Sequence, residues 1–63
     1  MNYTIIITFK DDKRFIHIKS RFMIYESIRY ITIYQEAIPD RQEEKTFEYN
    51  LDEIKSIEMK EGE

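Results

Sequence analysis

The 63-residue chain has no cysteine, tryptophan or valine, and only one glycine, one proline and one histidine. Each shortage excludes something. Without cysteine there is neither a disulfide nor a thiolate nucleophile. One imidazole and no thiol cannot complete a tetrahedral zinc site without three carboxylates. A single glycine, Gly62, excludes the glycine-rich loops that cradle phosphates. It also means that every internal turn must be built by Asp, Asn, Ser or Lys, in loops looser than glycine-dependent two-residue turns. No purely apolar run exceeds four residues, far short of the ~20 that span a bilayer as a helix. The N-terminus lacks the charged, apolar and small-residue segments of a signal peptide. Cytoplasmic residence is the expectation.

What is abundant is isoleucine and charge. Twelve isoleucines stand beside four phenylalanines and five tyrosines, a palette that favours strands. The charge is split along the chain. Residues 1–34 hold six Lys/Arg and three Asp/Glu, whereas residues 35–63 hold four Lys/Arg and ten Asp/Glu. Four of the five tyrosines lie in the cationic part. The split suggests one basic, aromatic surface and one acidic surface. A chain this short buries roughly 60% of its unfolded surface, so one marginally stable domain is the most it can form.

Alternation of apolar and polar residues places the elements. Residues 3–9 read as a strand with Tyr3, Ile5, Ile7 and Phe9 on one face, followed by a polar turn at Lys10–Lys13. Residues 14–20 read as a second strand with Ile16 and Ile18 inward and Phe15, His17 and Lys19 outward. Residues 22–25 read as a short strand turning at Glu26–Ser27, in preference to a helix capped by Ser20. Residues 28–35 set Ile31 and Ile33 opposite Tyr30, Thr32 and Tyr34. Pro39 marks a loop over residues 36–44, where Asp40 and Glu43 could nucleate one helical turn. Residues 45–49 and 55–60 complete the set. Between them Asn50 is positioned to cap a short turn by accepting from the Glu53 N–H, with Glu53 reaching back. The expected fold is mainly β: a five- or six-strand antiparallel meander forming a small barrel or curled sheet, with one short helical turn near 51–54. It forms a single domain over residues 1–60, with a frayed tail at 61–63. The expected core is Ile5, Ile7, Ile16, Ile18, Ile31, Ile33, Phe47, Ile57 and Met59.

No constellation names a reaction. His17 has no nucleophile or orienting partner in any recognisable motif and reads as a strand residue with one face to solvent. The carboxylate pairs Asp11/Asp12, Glu43/Glu44 and Asp52/Glu53 fall in turns, without the mid-loop glycine of a calcium site. Neither catalytic residues nor a cofactor nor a metal is expected. Two sets remain as binding candidates. The acidic residues Glu43, Glu44, Glu48, Asp52 and Glu53 could meet a protein partner, above all a nucleic-acid-handling protein whose groove is lined by Lys and Arg. The basic and aromatic residues Arg21, Tyr25, Arg29, Tyr30 and Tyr34, with Arg14 and Lys19 nearby, offer the alternative: stacking platforms for a single-stranded nucleic acid.

The run Phe47-Glu48-Tyr49-Asn50-Leu51-Asp52-Glu53-Ile54-Lys55-Ser56-Ile57-Glu58 resembles the close of small β-rich proteins of phages and mobile elements of low-GC bacteria: a strand, a short Leu-Asp turn, a final strand. The A/T-rich codons of Ile, Lys, Asn, Tyr and Phe fit such an origin. The resemblance implies an inhibitor or regulator acting by protein–protein contact in an anti-defence style, and carries no site residues. The expected function is therefore non-enzymatic binding to a protein partner, with homodimerisation through a sheet edge or the tyrosine face as a further expectation for so small a core.

Overall fold

A computed structural model describes residues 2–62. Five strands follow one another: β1 (Tyr3–Phe9), β2 (Arg14–Tyr25), β3 (Tyr30–Gln35), β4 (Lys45–Asn50) and β5 (Ile54–Glu61). A 3-10 turn, Leu51–Glu53, separates the last two. All neighbours are antiparallel in one sheet of order β4-β3-β2-β1-β5. The sheet is curled but not closed, because β4 and β5 remain its two edges. Among the described residues no helix is long and apolar enough to cross a membrane.

The long strand β2 makes the curl possible. Its first part pairs with β1 and its last part with β3. Between them the register slips: Ile5 faces His17 but Tyr3 faces Ser20. One extra residue is thus inserted in β2 opposite Thr4, a bulge that bends a strand and sharpens its twist. Lys19 absorbs it at φ 51°. The Ser20 hydroxyl donates to the Ile18 carbonyl across the bulge, at 2.9 Å. The second strand and the short strand expected after it are therefore one bent, twelve-residue element.

The curl turns one face inward. Ile5, Ile7, Ile31 and Ile33 are fully buried there, with Tyr3, Phe9, Phe22, Phe47, Tyr49, Leu51, Ile54 and Ile57 packed around them. Edge-on aromatic pairs link the two halves of the sheet, Phe9 to Tyr49 at 5.4 Å and Tyr3 to Phe22 at 6.0 Å between ring centroids. Three members of the expected core are instead exposed: Ile16 (59%), Ile18 (44%) and Met59 (37%). For Ile16 and Ile18 the reason is register, whereas Met59 pairs with Ile5 on the inner face but belongs to the edge strand β5. Phe15 and His17 pair with Ile7 and Ile5, so they share the inner face and Ile16 lies on the outer one, beside Ile6. His17 is consequently buried, not turned to solvent as its strand position suggested.

The β1–β2 turn meets the glycine shortage with an aspartate as expected, Asp12 at φ 71°, whereas the β2–β3 turn uses a residue outside the expected set, Arg29 at φ 61°. In the β1–β2 turn the Phe9 N–H donates to the Lys13 carbonyl and the Asp12 N–H to the Phe9 carbonyl, both at 2.8 Å. The loop over residues 36–44 contains no helical turn. Ile38 and Arg41 exchange backbone hydrogen bonds at 2.8 and 2.9 Å, with Pro39 in the position of a tight turn where its fixed φ is favoured. Asn50 caps the 3-10 turn, but its side chain accepts from the Asp52 N–H, at 2.9 Å, rather than from that of Glu53. β5 continues through Glu61, which pairs with Tyr3, and the Gly62 N–H donates to the Asn2 carbonyl at 3.0 Å. Of the tail expected to fray, only Glu63 lies outside the described residues.

Candidate protein-binding face

The outer face of β2, β3 and β4 forms a grid set by the strand register. Arg21 and Tyr25 of β2 lie across from Tyr34 and Tyr30 of β3, and Tyr34 and Thr32 lie across from Thr46 and Glu48 of β4. Side chains two apart on a strand share a face, about 6.6 Å apart along it. Thr32 therefore sits between Tyr30 and Tyr34 as a short side chain between two tall ones. The result is an open groove of about 410 Å³ lined by Tyr25, Ile28, Tyr30, Thr32, Tyr34, Thr46 and Glu48. Thr32 is buried at its floor, whereas Tyr25 (41%) and Tyr30 (37%) stand exposed. The groove brings Tyr25, Tyr30 and Tyr34 of the basic-aromatic set together with Glu48 of the acidic set. Thr32 and Thr46 were not singled out from sequence, although the Tyr-Ile-Thr-Ile-Tyr alternation of β3 carries the signal for Thr32.

The charges do not form two surfaces. β4 of the acidic segment pairs with the uncharged β3, which brings its carboxylates close to the arginines of β2 and the β2–β3 turn. Arg21 lies 3.7 Å from the Glu44 carboxylate, and its guanidinium stacks 5.3 Å from the centre of the Tyr34 ring. Arg29 grips Asp52 through Nε and Nη2 at 3.1 and 2.9 Å. Lys55 meets Asp12 at 3.0 Å. All three pairs are exposed, and such pairs contribute little to stability. Their effect is to neutralise the two arginines on which a nucleic-acid site would depend.

The acidic set is likewise dispersed. Glu44 and Glu48 belong to the outer face of β4 and its approach. The Glu43 carbonyl accepts from the Arg41 guanidinium in the loop. Asp52 and Glu53 sit on the 3-10 turn, where they help line a second groove, of about 450 Å³, with Phe9, Lys10, Asp11, Lys13 and Phe15.

The Tyr34 phenol is held above its ordinary value, first by its hydrogen bond to the Tyr25 oxygen, in which the protonated Tyr34 is the donor; burial and the Glu48 charge add to the rise and Arg21 opposes it. Tyr34 therefore stays neutral at physiological pH.

Inside the core, His17 joins Tyr49 and Gln35. Nε2 lies 2.7 Å from the Tyr49 hydroxyl and Nδ1 lies 3.4 Å from Gln35 Oε1. A carboxamide oxygen can only accept, so Nδ1 carries the proton and Nε2 accepts from Tyr49. The ring also packs 4.4 Å from Phe47. Burial pushes the His17 pKa below its ordinary value, with the Gln35 contact acting weakly the other way. This trio satisfies polar groups at the core, with His17 and Gln35 buried and Tyr49 half-buried. Among the described residues no group of three or more His, Cys, Asp or Glu could hold a metal ion.

Compared with known proteins, the chain matches no family model, no curated sequence and no solved structure.

Proposed function

We propose that the protein is a non-enzymatic binding module that engages a protein partner through the outer face of β3 and β4. The observation that carries this reading is the groove itself, in which three tyrosines, two of them exposed, flank a buried threonine beside one carboxylate. Tyrosine is enriched at protein interfaces because it supplies a large apolar body and a hydrogen-bonding tip. The interface draws on both candidate sets, with Tyr25, Tyr30, Tyr34 and Glu48 at its centre and the Arg21–Glu44 pair at its rim. The C-terminal resemblance adds the mode of action, an inhibitor or regulator in an anti-defence style, and the carboxylates Glu44 and Glu48 on this face suit a basic nucleic-acid-handling partner. The alternative, a single-stranded nucleic acid on the same tyrosines, is disfavoured by Glu48 in the groove and by the pairing of Arg21 and Arg29 with acids. Phosphate needs cations that are free to meet it.

Capture from lysate with immobilised protein, with and without nuclease, tests this reading when run beside variants. A partner retained after nuclease, kept by Ile16→Ser on the other outer patch and lost by Tyr30→Ser with Tyr34→Ser, is the expected outcome. Retention by the double tyrosine variant overturns it, and loss of the partner on nuclease treatment transfers the face to nucleic acid.

A further inference from the structure

The groove has a chemical preference. We infer that it seats a cationic side chain, an arginine guanidinium, presented by an extended basic segment of the protein partner; this rests on the face assigned above. Three observations converge. The walls are tyrosine rings, whose π faces attract cations. Glu48 is the one charged residue lining the groove, and a carboxylate takes a guanidinium through two parallel hydrogen bonds. The protein already performs the stacking within itself, since the Arg21 guanidinium lies over the Tyr34 ring at 5.3 Å.

Charge complementarity singles out the occupant. Around the groove, Arg21 is countered by Glu44, and Glu48 remains without a cation partner among the described ion pairs. The face is thus left one negative charge in excess, bounded by aromatic walls. An anion would meet Glu48 directly, and a purely apolar side chain would cover that carboxylate without pairing it, which is costly. A guanidinium pairs with the carboxylate and stacks on the rings at once. The open shape of the groove suits a single inserted side chain with its backbone running over the sheet, rather than a small molecule enclosed on all sides.

The test is an amide chemical-shift titration of the whole chain with a blocked pentapeptide, alanines flanking a central arginine, against the same peptide carrying uncharged, isosteric citrulline. The arginine peptide is expected to shift the amides of Tyr25, Tyr30, Thr32, Tyr34 and Glu48. It should bind about fivefold or more tightly than the citrulline peptide, the ratio expected of a cation–aromatic contact at a partly exposed site. Glu48→Gln, a change at an exposed position, should reduce that preference to the part the tyrosine rings supply, with the spectrum otherwise unchanged. Equal binding of both peptides, shifts confined to other faces, or no shifts at millimolar peptide overturns the inference. If the peptides fail while Tyr30→Ser with Tyr34→Ser still abolishes partner capture, the face stands and its preference for a cation falls. If both fail, the face is wrong as well.

Discussion

Among the residues, His17 shows most plainly how position overrides type. A lone histidine on a short strand would ordinarily be placed in water, yet it is only 3% exposed. It is kept neutral between Tyr49 and Gln35, with burial lowering its pKa. The unfolded chain takes up a proton near the ordinary value of 6.5, while the folded chain resists it. The unfolded state therefore binds more protons as the pH falls below that value, and folding stability declines there. The melting temperature should be level above about pH 6.5 and fall between pH 6.5 and 5, before most carboxylates titrate. His17→Phe should flatten that slope, whatever it does to overall stability. The isoleucines divide by the same criterion. Ile33→Ala should cost about 2–5 kcal/mol in chemical denaturation, because it empties a fully buried site. Ile18→Ala should change stability by about 0.5 kcal/mol or less, being 44% exposed.

Within the elements, the simple alternation of β1 and β3 was legible because neither strand carries an inserted residue: β3 pairs unbroken, and the extra residues opposite β1 fall in β2 and β5. Ile5, Ile7, Ile31 and Ile33 were identified from that alternation alone, and the break at Glu26–Ser27 from the β-branched and aromatic residues before it. β2 was misread because both of its faces are apolar. Ile16 and Ile18 outweigh Phe15 and His17 by residue type, and only the register with β1 reverses the choice. The bulge then shifts the alternation by one residue, so Ser20 and Phe22 face inward, which no unbroken period of two describes. The groove was half legible. Its tyrosines and Glu48 were singled out, but on two separate surfaces, because charge counted along the chain does not reveal that β4 lies beside β3. Lys19 offers a direct test of the bulge. A non-glycine residue in the left-handed region costs roughly 1–2 kcal/mol. Lys19→Gly should leave stability unchanged or raise it by up to about 1 kcal/mol. Lys19→Val, which tolerates a positive φ least, should lower it by more than that. Midpoints of urea unfolding for the two variants separate these outcomes, and a lower midpoint for glycine than for valine would deny that Lys19 carries the bend.

For the whole molecule, the backbone hydrogen bond between Gly62 and Asn2 has a topological consequence. The chain is close to a ring. Its first and last strands zip together along their whole length, from Tyr3 with Glu61 to Phe9 with Ile54. Nearly the entire chain must therefore be gathered before the most distant pairing forms, and contacts so remote in sequence slow folding. Joining the two ends by a short flexible linker, and opening the chain instead in the exposed stretch at residues 42–44, would turn that pairing into a local hairpin. β3–β4 would become the distant contact. Such a rewired chain should reach the same sheet, because the new ends fall in a surface loop. Stopped-flow refolding should show its rate shifting relative to the original order, with β1 and β5 now pairing early. The tyrosine groove, set between β2, β3 and β4, would then be the last part of the molecule to take shape.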